Sequence, residues 1–404
     1  MRGPFRHRDF RLVMGAKLLS VLGGQMQTVA IGFHVYQRTH DPLHLGLVGL
    51  AKFVPAFLLS LPAGQVADRF QRRKVLVVYH ATTVVSAVLL ALLVHHDSFL
   101  PLYAVLVLLG SARAFAGPAN HALLPSLVPG LELSAAIAYS SSVWQVSAIA
   151  GPALGGLLLA AKGPLGVYVA SALASTAAFV QLALVRTDSG RHDKEPLSFA
   201  ELFAGVRYVG RARLLLGAIS LDLFAVLLGG AVALLPAFAE DVLHVGPRGL
   251  GVLSATPAVG ALATALLLSQ RPVARHAGGL MLGGVLAFGV ATIVFGLSRS
   301  FWLSLLALAL VGAADMVSVV VRQMLLQLAT PDAMRGRVSA VNLVFVGASN
   351  ELGELESGLS AAWLGIVPAV VAGGVLTCVV VAVWALLFPE LRRLDRLDDV
   401  RPLS

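Results

Sequence analysis

Charge is scarce in this sequence. Asp, Glu, Lys and Arg make up 13% of its 404 residues, against roughly 25% in soluble globular proteins. Cysteine is scarcer still: Cys378 stands alone in an apolar run, which excludes a disulfide within the chain. No Walker-type glycine-rich loop ending in Gly-Lys is present, so direct drive by ATP is excluded. The pI near 10.2 does not point to nucleic acid, because no basic stripe interleaves with aromatics. A cleavable signal peptide is not expected. Residues 1–11 are basic, but the apolar segment after them is too long for a signal core and lacks a convincing cleavage site.

What fills the chain is apolar. Hydrophobic residues reach 57% and mean hydropathy is +0.84. Twelve apolar runs are read at 12–36, 44–66, 75–94, 100–124, 135–160, 164–185, 214–238, 249–269, 277–297, 301–328, 338–362 and 365–388. Each is near or above the ~20 residues that a helix needs to cross the hydrocarbon core. They are continuous rather than alternating, which predicts helices and not a barrel. With the N-terminus inside, 22 of the 30 Lys and Arg fall on the inner side, and four (Arg38, Lys162, Arg248, Arg299) on the outer. That bias places both termini in the cytoplasm. The expected class is an all-α polytopic protein of the cytoplasmic (inner) membrane, a monomer surrounded by lipid bilayer.

The organisation expected is a six-helix half at 1–186, a cytoplasmic linker at 187–213, a second six-helix half at 214–391 and a cytoplasmic tail at 392–404. In the linker, Phe199, Leu202, Phe203, Val206 and Val209 recur at helical spacing. They predict an amphipathic helix at the inner membrane surface, with an ordinary loop as the alternative. The halves read as repeats. The run 45–51 lines up with 250–256, and 106–110 with 308–312, at offsets of 205 and 202. A six-plus-six duplication about a central linker is the plan of many secondary transporters.

Gly64, Asp68, Arg69, Arg72 and Arg73, in the basic connection between the second and third spans, resemble the loop signature of the major facilitator superfamily, with Gln71 where that signature often has glycine. Gly151, Pro152, Gly155 and Gly156 in the fifth span resemble the antiporter motif of exporters in that superfamily. Arg113 followed by Gly117 is similar to a third motif, with Ala116 replacing its usual polar residue. The triplets Asp9-Phe10-Arg11 and Ala67-Asp68-Arg69 and the run Leu328 to Arg337 are similar to the branch of enterobactin-type siderophore exporters and macrolide efflux proteins. The resemblance covers essentially the whole chain. It implies two six-helix halves rocking about a central cavity, no enzymatic activity and no cofactor. Its expected substrate is a small molecule, an amphipathic drug or a siderophore, exported against entering protons. It also implies that Asp68 and Arg69 gate the conformational change, although topology alone accounts for a basic inner loop. The repeat alignment puts Val273 at the Asp68 position, which predicts an asymmetric gate.

Ionisable groups at mid-membrane depth are the sharper clues, since each costs ~2.5–3.5 kcal/mol on insertion scales and so faces a cavity or a partner. Asp222 in the seventh span and Asp315 in the tenth rank first as proton sites. Arg113 and Arg322 are candidates for charge pairing or for an anionic substrate, and a static ion pair is the bland alternative. In the eleventh span Glu351 and Glu354 fall near one face and Glu356 elsewhere. They read as a proton relay, a cation site or the rim of an outer vestibule. No metal site is expected, because no histidine cluster accompanies the acids. Gln25, Asn120, Gln145 and Gln323 are candidates to line the cavity, with His121 and Trp144 near them. Lys17 and Lys52 either snorkel or face the cavity. Competing readings are a metabolite importer or facilitator, a lysophospholipid translocator of the same fold, and a sensor or scaffold. The antiporter motif weighs against import, and the mid-membrane charges weigh against a scaffold.

Overall fold

The computed structural model describes residues 3–59, 62, 63, 66, 70–187, 199–271, 273, 275–397 and 400–402. Among these the chain is helical and contains no strand. In order, the helices are α1 (Arg8–Thr39), α2 (Pro42–Leu58), α3 (Arg72–Leu92), α4 (Leu100–Leu123), α5 (Leu133–Ala183), α6 (Phe199–Arg211), α7 (Arg213–Leu228), α8 (Gly246–Gln270), α9 (Ala277–Leu297), α10 (Phe301–Leu328), α11 (Arg335–Leu364), α12 (Ile366–Leu387) and the single turn α13 (Pro389–Arg392). Nine described segments are long and apolar enough to cross a membrane, one of them extending from Gly130 to Ala183. The twelve-span reading is consistent with this set. That long segment holds the fifth and sixth spans, and α2 and α11 supply the second and eleventh.

Two differences from the expected spans have local causes. The fifth and sixth spans follow one another without a loop, separated by a kink at Gly163, whose φ of 66° and ψ of −173° leave the helical region. The seventh span stops being α-helical at Leu228, and short 3-10, α and π turns carry it to Val242. Gly229 and Gly230 explain the break: paired glycines weaken a helix, and the Gly230 carbonyl accepts a hydrogen bond from Ser357 Oγ at 3.1 Å.

Helix surfaces confirm the solvent. On α3, Val78, Val85, Val88 and Leu92 are exposed while Leu76, Ala87 and Leu90 are buried. A helix apolar on both its buried and exposed faces belongs in lipid. Trp302 and Trp363 lie exposed near the start of α10 and the end of α11, where interfacial aromatics anchor a span. The chain is a multi-pass membrane protein.

The chain forms two compact units. One comprises Met1–Thr39, Leu50–Leu197 and Gly246–Ala255; the other comprises His40–Gly49, Ser198–Val245 and Thr256–Ser404. The first has a core around Phe10, Leu76, Leu123 and Leu182. The second has one around Leu215, Leu221, Met281, Val321 and Leu325, which also takes in Leu391, Leu397 and Val400. The segment expected as a tail therefore folds back. Asp395 Oδ1 accepts the His276 amide at 2.9 Å, and the Asp395 and Leu394 carbonyls accept the amides of Ala277 and Gly278, so three orphan donors at the start of α9 are satisfied. Residues 188–198 of the linker lie outside the described residues. After them, α6 packs on the start of α11, where a β-carbon on Gly205 would come within 2.9 Å of the Arg337 carbonyl.

The repeat is visible in packing. In the first unit Gly110 lies against the Lys52 carbonyl; in the second, Gly312 lies against the Pro257 carbonyl. Gly312 and Pro257 stand at the two repeat offsets from Gly110 and Lys52. A second pair of contacts obeys the same offsets. Gly156 meets Gly251 within the first unit, and their repeat partners Gly358 and Gly46 meet within the second. Without a hydrophobic force to join helices in lipid, such small-residue contacts let backbones approach and gain dispersion energy. They also give each unit its short piece of α2 or α8.

Candidate functional site

The second unit buries a cation between two polar partners. Arg322 on α10 is 3% exposed, and its Nη2 lies 3.2 Å from Asp222 Oδ2 on α7. Its Nη1 donates to Asn342 Oδ1 on α11 at 2.6 Å. Asp222 and Asn342 are as buried as the arginine. The Arg322 Nε has no hydrogen-bond partner among the described residues, and neither has the Ser318 hydroxyl. Asp315, Ser318 and Arg322 fall at i, i+3 and i+7 of α10 and so share one face. Asp315 and Ser318 line a small pocket with Asp222, closed by Val226, Val285 and Phe288.

Two carboxylates thus line one small pocket, and one of them, Asp222, is paired with the buried guanidinium. A buried ion pair barely recovers its desolvation cost, yet removal of one partner leaves a charge that water no longer stabilises. The second carboxylate exceeds the cation by one charge. A proton is the smallest ligand that cancels the excess, and a carboxylate in an apolar setting holds one readily unless a cation intervenes.

The other acids stand apart. Glu351 and Glu354 are half-buried on α11, beyond Asn342 by about 13 and 18 Å along the helix axis. Glu354 packs its side chain against Gly49, and Glu356 is bonded to Ser360. Gln323, next to Arg322, is exposed on a different face of α10. Among the described residues no group of three His, Cys, Asp or Glu is placed to hold a metal.

In the first unit, the antiporter-like residues Gly151, Pro152, Gly155 and Gly156 are all buried. Gly151 packs on the Gln25 side chain and Gly155 on the Met26 backbone, both on α1, so Gln25 is held by its stem. Lys17 Nζ donates to Ser140 Oγ at 2.5 Å. Arg113 is exposed on α4, and its charge reaches Tyr79, which is bonded to Ser20. Asn120 and Trp144 are exposed, Gln145 is half-buried, and the His121 side chain lies outside the described residues.

Of the loop signature, Gly64, Asp68 and Arg69 lie outside the described residues, and Arg72 and Arg73 open α3. Arg73 donates to the carbonyls of Leu182 and Ala183 at the end of α5, where a cation complements the helix dipole. Arg8 adds a bond to Leu184 O at 3.2 Å. Asp9 Oδ2 accepts from the amides of Arg186 and Thr187 and from the Thr187 hydroxyl, at 3.0, 2.7 and 2.6 Å. The Asp9-Phe10-Arg11 triplet is therefore a clamp: Phe10 is fully buried and Arg11 binds the Phe5 carbonyl.

Asn342 and Ser318 were not legible as site residues. Asn342 carried one signal: it stands at the repeat offset from Ser140, which accepts the Lys17 ammonium.

Comparison with known proteins agrees with this architecture. A model of the transmembrane secretion effector family matches residues 2–402. Enterobactin exporters of Citrobacter koseri and of Escherichia coli O81 are each 28% identical, over 96% of this chain and 93% of the relative. Among solved structures, a bacterial homologue of the human lysosomal transporter Spinster superposes with a TM-score of 0.75 at 16% identity, covering 95% of this chain and 98% of that one. A POT family transporter in complex with a thioalcohol-conjugated peptide superposes with a TM-score of 0.77 at 12% identity, covering 95% and 96%. These two share the fold. Matched from end to end, with the duplicated helical plan and no enzymatic relative among these, the chain belongs to the transmembrane secretion effector family of major facilitator transporters.

Proposed function

We propose that the protein is a proton-coupled exporter of amphipathic small molecules, drugs or siderophores, that works by alternating access in the cytoplasmic membrane with both termini inside. The observation that carries this reading is the buried pair of Arg322 with Asp222, beside a second carboxylate, Asp315, that lines the same pocket as Asp222. A proton arriving on either acid changes the local charge by one unit, and so changes which arrangement of α7, α10 and α11 is lowest in energy. Glu351 and Glu354 serve as a further route for protons, and Gln25, Arg113, Asn120, Gln145 and Gln323 as contacts for the cargo. Asp68 and Arg69, with Arg72 and Arg73, stabilise one conformation. The protein acts as a monomer. Export rather than import is favoured by the enterobactin exporters that match nearly the whole chain and by the buried glycines of the fifth span.

The test is efflux from cells that lack their main pumps, loaded with dyes, macrolides and catecholate siderophores, with and without a protonophore. Efflux that depends on this protein and collapses with the proton gradient is expected. Uptake, or lipid transfer without efflux, would keep the fold and discard the function.

A further inference from the structure

We infer that Asn342 is a positioning residue for the proton site, holding the Arg322 guanidinium in the place where it neutralises Asp222. This rests on the proton-coupling role proposed for Asp222 and deepens it. Arg322 has two bonded arms. One meets Asp222 and the other meets Asn342, while Nε is buried without a hydrogen-bond partner among the described residues. A guanidinium with a single anchor swings on its long stem. With a second anchor on another helix its fork is fixed in plane, and fixed geometry is what makes an arginine pair directional.

The choice of amide matters. Asn342 accepts through a neutral oxygen, so it orients Arg322 without competing for its charge. An aspartate of nearly the same shape would compete. The repeat partner Ser140 supplies a neutral oxygen to Lys17 in the same way. The anchor also ties α11 to the charge state of α7 and α10, so a proton on Asp222 is felt by three helices.

Among the described residues, few charged groups surround Asp222. From α10 come Arg322 and Asp315. From α9 come Val285 and Phe288, which do not titrate. On α12, the Cys378 side chain lies against Gly289. On α6, Tyr208 is engaged by the Ala329 carbonyl, and on α13 Glu390 pairs with Arg213 near the start of α7. On α11 the glutamates lie beyond Asn342, as given above. A change at residue 342 therefore acts on Asp222 through Arg322.

Trp384 provides a reporter that needs no substrate. Its Nε1 donates to Ser220 Oγ at 3.0 Å, close in sequence to Asp222, and its ring lies 5.2 Å from Phe224. In full-length protein whose other three tryptophans (Trp144, Trp302, Trp363) are replaced by phenylalanine, Trp384 fluorescence is followed against pH. The expected result is a transition that Asp222→Asn abolishes and that Asn342→Asp moves toward higher pH by about one unit, as the rival carboxylate draws Arg322 away. Asn342→Ala should broaden or shift the same transition while the protein stays folded by circular dichroism. If Asp222→Asn abolishes the transition but Asn342→Asp leaves it in place, the positioning role is overturned and the proton site stands. If the transition survives Asp222→Asn unchanged, the proton-site reading fails and takes the positioning role with it. Should Asn342→Ala not fold, the isosteric Asn342→Asp decides alone.

Discussion

Gly156 and Gly251 touch backbone to backbone: a β-carbon on Gly156 would lie 2.6 Å from the Gly251 α-carbon and equally close to the Pro247 carbonyl. Nothing there can yield, because backbone rather than a flexible side chain blocks the way. Gly156→Val should therefore destabilise the first unit by about 1–3 kcal/mol, the usual cost of overpacking, and Gly251→Val should do the same. Gly24 on α1, open around its α-carbon, is the control, and Gly24→Ala should melt at or slightly above wild type, since alanine is the better helix former. Thermal unfolding in detergent decides. Equal melting of all three variants would show that the close approach is not a feature of the folded protein.

The second prediction concerns the joints between spans. Gly163 and Gly365 are repeat partners, and each holds a positive φ, 66° and 90°. Open space surrounds the α-carbon of Gly163, so Gly163→Ala meets no clash and its cost is backbone strain alone, about 1–3 kcal/mol in a region essentially restricted to glycine. Its ψ of −173° lies outside the left-handed helical region that asparagine tolerates, so Gly163→Asn should lose as much as Gly163→Ala. A melting series in which either variant matches wild type would refute the strain argument.

Those joints also show what was legible in advance. The two repeat offsets came from short apolar matches, and the packing obeys them: the contact of Gly110 with Lys52 has its counterpart in that of Gly312 with Pro257. Spans nine and ten carry the boundaries read from hydropathy, because each is bounded by polar residues on both sides. The break in the seventh span was not visible, since apolar composition does not distinguish an α-helix from the mixed turns that follow Gly229 and Gly230. In the site, Asp222 and Arg322 were visible as charges out of place, but their pairing was not. Periodicity orders residues along one helix and says nothing of which helix lies opposite. Asn342 was hidden for another reason: an uncharged amide costs too little in a span to stand out.

A third prediction follows from the clamp at the end of α5. Asp9 accepts three hydrogen bonds from Arg186 and Thr187, and bonds to a charged acceptor contribute about 1.5–3 kcal/mol each when made in isolation. Asp9→Ala should release the chain at Arg186 and raise the rate of tryptic cleavage there several-fold, with little change at other arginines. Asp9→Asn keeps one acceptor oxygen and should fall between. Unchanged cleavage at Arg186 in both variants would remove the clamp from the account.

The fourth prediction separates a shared charge from a static strut. Arg322→Ala leaves the Asp222 carboxylate buried without its cation, and breaking a buried pair from one side costs about 3–5 kcal/mol. Asp222→Asn in the same protein removes the stranded charge, so the double variant should be more stable than Arg322→Ala alone, the signature of coupling in a double-mutant cycle. The cost of Arg322→Ala should also shrink as pH falls, because a proton on Asp222 does what the asparagine does. Denaturation of wild type, both single variants and the double variant at neutral and mildly acidic pH measures all three effects. A cycle that closes with no coupling energy would mean that the 3.2 Å contact carries no charge-dependent energy. If coupling appears but does not weaken in acid, the pair is a strut that protons do not enter, and the proton route must be sought through Asp315 without Asp222.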